Sequence, residues 1–441
     1  MTNTETMTTE VVVVGSGPGG AAVARKLSAA GRRVLILEWG DDNPPEPGLF
    51  PNPTRYFGGL RLMKHSIMKT SSAPVMKMVR GLTTGGSTMM YAGVCEEAPP
   101  EKFAAHGIDL DDEIRAIKKD IVIRPLADEQ LGEKARMLAQ SARQLGLPWK
   151  NCDRFFLDPA KFRQGSLFMG DRTGARWDAR RWVLDAVGHG ATLLNGTRCE
   201  KVLIEQNRAI GVQAVDRNKG ALRIQADTVV LAAGGIGSPQ ILRNSGLAEA
   251  GQSLCNDPYL IAFGYVGKDR RLSGRGESNR QAGVLLDGGV TLADATVPGM
   301  VYMQMLKEQG IRGRMFAGRQ ALSLLVEIAD DSDGSLDAEG GICKHLTARD
   351  LEKLEYGKRV ARDILQHAGA RDIWFSRIAA VHPAGTCRIG EIVDADLKTR
   401  FDNVYVADAS VLPESLAVPP VLTILALGGR LAGHLLRTGQ G

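Results

Sequence analysis

The sequence predicts an α/β protein in two parts: a parallel-sheet domain contributed by both ends of the chain, and a second domain built on an antiparallel sheet between them. Three observations carry this. A buried-type strand at Val11 to Val14 runs directly into the glycine turn Gly15-Ser16-Gly17-Pro18-Gly19-Gly20 and then into a helix. A second apolar strand, Val34 to Leu37, ends in Glu38, 21 residues after Gly17. From about Asn256 to Ala380 the chain changes to short strand-like runs separated by Gly and Asp turns, before the His382 to Arg388 run His-Pro-Ala-Gly-Thr-Cys-Arg.

The amino-terminal unit has a physical reading at each residue. An unbroken run of four valines suits a strand covered on both faces of a parallel sheet. Ala21 to Ala30 is helix-forming, and Gly31 closes it. Gly15 permits the tight turn, Gly17 lets the backbone approach a pyrophosphate, and Gly20 lets helix and strand pack closely. Ser16, Pro18 and the helix N-terminus surround the same point, where free N–H groups favour phosphate. Glu38 stands at the spacing of an acid that meets a ribose hydroxyl. The pattern predicts dinucleotide binding and leaves nicotinamide and flavin cofactors both open.

Further along, residues 40–53 are rich in Pro, Gly and Asp and read as a loop, followed by a Met-rich, basic stretch up to Met78. Arg80 to Thr88 is a cluster of glycines and hydroxyls, in which Gly85, Gly86, Ser87 and Thr88 offer many donors and little bulk. Glu133 to Leu145 and Arg176 to Val187 are amphipathic helix candidates. Val212 to Val215 and Leu222 to Ile224 read as strands of a small sheet inserted before a buried strand at Thr228 to Leu231. That strand opens onto Ala232, Ala233 and Gly234, small residues suited to close approach by a cofactor. In the middle region Gly299 to Met305 and Ala321 to Ile328 read as strands and Thr347 to His367 as a helix. Near the carboxy terminus Asp408-Ala409-Ser410 precedes Pro419-Pro420 and a helix from Val421 to Leu436. Pro420 sits at or near its first position, where a missing N–H costs nothing.

Taken in order, the fingerprint, the Gly85 to Thr88 loop, the Ala232 to Gln240 segment, the His382 to Gly390 run and the Asp408 to Ile424 block resemble the glucose-methanol-choline (GMC) oxidoreductases, a family of FAD-dependent alcohol oxidases and dehydrogenases. The resemblance covers both ends of the chain and little of residues 256–370. It implies an FAD-binding Rossmann-like domain from residues 1–255 and 381–441 and a substrate domain from 256–380. It also implies hydride transfer from an alcohol CH–OH to flavin N5 with His382 as general base, a role that suits imidazole near neutral pH. The bland alternative for His382 is a core histidine ending a strand. Cofactor contacts implied are Gly15, Ser16, Gly17, Pro18, Gly20, Glu38, Gly85, Gly86, Ser87, Thr88, Ala233, Asp408, Ala409, Pro420 and Val421. For Asp408 the alternative is a turn or cap residue.

Two departures from the family matter. Pro419 stands where relatives carry a histidine or an asparagine that holds the substrate oxygen, and proline offers no side-chain polar atom. Tyr91, Glu414, Ser415 and His345 are the groups to inspect for compensation. This departure keeps open a non-redox lyase or decarboxylase, or a cofactor-bound protein without chemistry. Where relatives that attach FAD covalently carry a histidine, this chain has Met89, Met90 and Tyr91, so non-covalent FAD is expected.

Bulk properties fit this reading. The 441 residues support two domains, and the net charge of +5 is spread, which argues against a nucleic-acid surface. Arg176, Arg180 and Arg181 form one local basic cluster, read as a solvated helix face. The six cysteines include no C-x-x-C pair, so no metal site with local spacing is expected. No targeting segment is read at Met1 to Glu10 and no apolar run reaches membrane-spanning length, so a cytoplasmic location without integral membrane segment is expected. The expected partners are an alcohol substrate and an electron acceptor that the sequence does not name.

Overall fold

The computed structural model describes residues 5–44, 54–165, 171, 173–267, 272, 277–311, 313–314 and 317–439. Val11 to Val14 form the buried end of β1 (Glu5–Val14), and α1 (Pro18–Ala29) leaves the glycine turn behind it. β1 pairs in parallel with β2 (Val34–Glu38), which pairs in parallel with β3 (Thr192–Asn195). On the other side of β1 the strands β4 (Thr197–Glu205), β5 (Arg208–Asp216) and β6 (Gly220–Leu231) form an antiparallel meander, β6 lying parallel to β1.

The expectation of a separate small sheet around Leu222 is corrected here. Leu222 to Ile224 and Thr228 to Leu231 are one continuous strand with two successive partners on its far edge: β5 along residues 220–225, then Val404–Val406 along 229–231. Burial follows the change of partner, alternating in the first half and complete from Thr228 onward. Each half reads correctly by itself; the join depends on partners distant in sequence.

The second sheet is antiparallel, as expected. Its strands include β7 (Pro258–Tyr265), β8 (Ala282–Leu286), β9 (Val290–Asp294) and β10 (Ala321–Ile328), with Arg371–Phe375 on the far side of β7. Helix Ala348–His367 covers one face, and helix Glu133–Gln144 joins it there. The Lys150–Asn151 strand pairs with β8, so this layer also draws on residues well before 256. Two more expectations are corrected. Gly299 to Met305 is no strand but part of helix Gly299–Glu308, which buries Tyr302 and Leu306, four residues apart, and turns Met300 outward. A short apolar run does not separate the two readings by periodicity. The helix expected from Arg176 begins at Arg180, because Arg176 is buried and its guanidinium donates to the carbonyls of Met89 and Tyr91. The expected loop at 40–53 falls largely outside the described residues.

The carboxy-terminal helix Val421–Thr438 packs on α1 at a close approach. A Cβ on Gly428 would lie 2.8 Å from the Gly19 carbonyl oxygen. This contact sets the start of that helix beside the start of α1, so both open toward the same space.

Candidate functional site

One elongated cavity of about 1200 Å³ runs between the two sheets. All fifteen expected cofactor contacts except Gly20 and Gly85 line it, together with His382 and Pro419. At one end its walls are almost bare backbone. Gly15 has φ +106°, and a Cβ there would run into the Ala232 carbonyl; a Cβ on Gly20 would strike the Gly15 carbonyl. Gly17, by contrast, has open cavity space where its Cβ would stand, and Gly86 lies against Gly17 with positive φ. The three glycines thus divide into turn, open approach and close packing, as their spacing suggests. Gly85 lies just behind this wall, its N–H donating to Ser16 Oγ at 3.2 Å.

Glu38 closes this end. Its carboxylate accepts from Ser16 Oγ (2.5 Å), Ser16 N (3.2 Å) and Gly40 N (2.8 Å). Burial nonetheless pushes its carboxyl above the ordinary carboxylate range. Beyond it Trp39 packs against His65, the rings 4.9 Å apart and tilted by 46°, and faces the guanidinium groups of Arg80 and Arg198. Asp408 lines the cavity and is the cap its alternative reading expected: its carboxylate caps the next turn through Ser410 N (2.8 Å) while accepting from Gly234 N (2.8 Å) and Ser238 Oγ (2.5 Å).

The starts of three helices converge on the cavity: Gly17 to Gly19 at α1, Ala233 to Gly237 at Gly234–Asn244, and Pro420 to Val421 at the carboxy-terminal helix. Each presents backbone N–H groups and a positive dipole end to the space. An elongated cavity with a side-chain-free cradle at Gly17 and positive poles along it fits FAD, whose pyrophosphate and pyrimidine carry the negative charge. Pro420 is the helix N-cap, and with Pro419 it leaves this end without side-chain donors.

The other end is built from segments far apart in sequence. Val381 to Ala384 ladders onto Cys255 and Asn256, with Val381 N donating to the Asn256 carbonyl at 2.9 Å, and this pairing brings Asp257 beside His382. Both residues have left-handed backbone, φ +42° at Asp257 and +52° at His382. His382 is partly exposed to the cavity, and its Nδ1 lies 3.0 Å from Asp257 Oδ2 and 3.6 Å from Glu327 Oε1. Ser415 Oγ donates to the other oxygen of Asp257, and Arg280 pairs with Glu327. Burial raises the Glu327 carboxyl, against the opposing pull of Arg280 and His382. Behind Asp257, the Asp330 carboxylate accepts from the N–H of Asn256 (3.1 Å) and Asp257 (3.0 Å) and pairs with fully buried Lys344 at 3.0 Å. Asp330 is pushed up to about 7, chiefly by burial.

Candidate ligand atoms of Asp257, Glu327 and His382 lie within 4.8 Å of one another. Arg280 and Ser415 already engage the two carboxylates, so the negative charge here is met by guanidinium, hydroxyl and imidazole hydrogens. Of the four residues named as possible compensation for Pro419, Ser415 reaches this network through Asp257, while Tyr91 lines the cavity with its hydroxyl donated to the Trp177 carbonyl at 2.7 Å. Glu414 is exposed and pairs with Lys102, and His345 is exposed and outside the cavity. Sequence reasoning missed Asp257, Arg280 and Glu327. Only Glu327 carries a local signal, as the single charge in the mostly apolar run of β10.

Comparison with known proteins agrees with this architecture. The chain is similar to a long-chain-alcohol oxidase of Arabidopsis thaliana, 24% identical over 500 residues that span 95% of this chain and 66% of that one, so it covers about two thirds of that relative's length. Its fold is similar to that of pyridoxine 4-oxidase from Mesorbium loti, with TM-score 0.74 at 21% identity over 97% of this chain and 99% of that one. It is also similar to a variant of Aspergillus oryzae formate oxidase studied for modification of its FAD, with TM-score 0.76 at 16% identity over 99% of both chains. The amino-terminal module of the GMC oxidoreductases matches residues 19–269 and the carboxy-terminal module residues 287–428. Together the two modules match most of the chain, His382 included, and the chain belongs to the GMC oxidoreductase family of FAD-dependent enzymes.

Proposed function

We propose that the protein oxidises a CH–OH group of an alcohol, with FAD held non-covalently along the cavity and His382 as general base. FAD, when bound, supplies the hydride acceptor at N5. Gly15 to Gly20, Gly85 to Thr88, Glu38, Ala233, Asp408, Ala409, Pro420 and Val421 hold it in this reading. Residues 1–255 and 381–441 form the cofactor half and 256–380 the substrate half, to which helix Glu133–Gln144 and the Lys150–Asn151 strand are added.

The observation that carries the proposal is the pairing of His382 Nδ1 with buried Asp257 at 3.0 Å. With Nδ1–H donating to that carboxylate, Nε2 is the unprotonated nitrogen, free to take a hydroxyl proton. The tautomer is assigned from this hydrogen bond. Once the proton is taken, Asp257 and Glu327, both on the Nδ1 side, stabilise the imidazolium, while Arg280 opposes the burial that raises the Glu327 carboxyl. Fixed groups of this kind need no reorganisation during proton transfer. Relatives and neighbours named as oxidases of long-chain alcohols and pyridoxine support an alcohol substrate.

One observation favours a second reading. Pro419 lines the cavity near the helix start and offers the substrate oxygen no polar atom. Lyase or decarboxylase chemistry, in which His382 serves as acid or base without net oxidation, would tolerate that loss. An anaerobic absorbance titration of the flavin-loaded protein against primary, secondary, aromatic and polyol alcohols decides between the two. Bleaching by one class supports alcohol oxidation and names the class; a bound flavin that none of them reduces overturns it.

A further inference from the structure

The Met-rich, basic stretch noted in the sequence lends Lys64, His65, Met68, Val79 and Arg80 to the cavity wall and leaves its other residues outside the cavity. From residue 53 to residue 80 it carries six Lys or Arg residues and no Asp or Glu, and the next acid is Glu96. Its fold turns this composition outward. The hairpin Ile67–Lys69 with Lys77–Val79 sets Ile67 opposite Val79 and Lys69 opposite Lys77, all four exposed on one face, while Met78 is buried on the other. Lys77 is met by Glu308 of a neighbouring helix, and Lys69, opposite it, is exposed with Arg61 and Lys64, so the stretch presents net positive charge to solvent.

The apolar exposure is concentrated in the same place. Fifteen large apolar side chains are exposed among the described residues, and seven of them fall in two segments. Leu60, Ile67, Val75 and Val79 belong to the basic stretch. Met300, at 81% exposure, with Val301 and Met303, belongs to helix Gly299–Glu308. The two segments are tied together by Lys77 and Glu308 at 2.8 Å. Val79 and Val301 are both exposed and part of the cavity wall, with Met68 and Met305 further in, so this face is the rim of the cavity.

We propose that this rim is a docking face for an anionic lipid surface, through which an apolar alcohol dissolved in the lipid reaches His382. Exposed methionine and aliphatic side chains inserted at the headgroup level, with lysines toward acidic headgroups, are the physical requirements of a peripheral contact. No helix among the described residues is long and apolar enough to cross a membrane. The delivery step rests on the alcohol reading above; the docking step does not.

The test is sedimentation of the flavin-loaded full chain with phosphatidylcholine vesicles, with and without phosphatidylserine. Binding that requires phosphatidylserine and weakens with added salt is expected. Lys69→Glu with Met300→Ser, neither of which touches the cavity, should weaken it by about tenfold or more while flavin content and reduction by a short soluble alcohol stay unchanged. Absence of binding to both vesicle types, or equal binding by the double variant, overturns the proposal. So does a concentration-dependent dimer abolished by Met300→Ser, which would make a second copy the occupant. Docking that persists when no alcohol reduces the flavin would overturn the alcohol reading and the delivery step, and leave the docking face in place.

Discussion

The two ends of the cavity are built by opposite means. The Gly15 to Gly20 end is made of consecutive residues, four of them glycines that leave backbone bare beside the cavity. The His382 end is made of single side chains from five separate segments, partly exposed His382 and buried Asp257, Glu327, Arg280 and Ser415, each held by another. The first end depends on conformation and space, the second on charge balance. A substitution should therefore abolish binding at one end and slow chemistry at the other.

The sharpest break is expected at Gly17. Its backbone at φ −65° and ψ −176° suits any L-residue, and nothing lies within 4 Å of a Cβ there. Gly17→Val should fold normally and carry no flavin, read as the absorbance of the purified protein; a yellow protein with full flavin content would remove Gly17 from the cofactor site. At the opposite end, His382→Ala should keep its flavin and lose flavin reduction by a factor of order 100 or more. Because His382 has positive φ, His382→Asn, which tolerates that backbone, is the control for strain. Wild-type reduction rates in both variants would leave His382 as a structural residue.

Asp257→Asn sharpens the comparison further. Asparagine accepts the φ of +42° and keeps the shape, but its amide no longer offers two carboxylate oxygens to Nδ1–H and Ser415. With the imidazole no longer held in one tautomer, the reduction rate should fall by about 10–100-fold at unchanged flavin content. A loss of flavin or of thermal stability instead would make Asp257 a folding residue alone. The smallest effect is expected at Pro419. Pro419→Asn adds a polar group to the wall, and a rise of about a few fold in alcohol turnover is expected if the substrate oxygen lacks a partner there. An unchanged or lower rate would show that Asp257, Glu327 and His382 suffice.

Legibility in the sequence followed the same division. The strand, turn, helix and acid at the amino terminus were readable because their roles depend on neighbours a few residues away. His382, Asp408 and Pro419 were found through the order of motifs, and the structure sets all three on one cavity. Asp257 and Arg280 were invisible because an Asp or Arg in a polar context looks like a surface charge; only their partners make them otherwise. Helix Gly299–Glu308 was misread for a related reason, since an apolar run of that length satisfies strand and helix equally until a neighbour buries one side of it.

The sequence by itself determined the local devices: the glycine turn, the buried valine strand, the small residues after Leu231 and the proline start of the last helix. These follow from sterics and backbone hydrogen bonding, which act over a few residues. Tertiary structure decided which charges meet. It joined the two halves of β6 through two partners, set Asp257 against His382 by the pairing of residues 381–384 with 255–256, and put Lys344 behind Asp330. A buried ion pair has no sequence period, because its members need only be close in space and out of water.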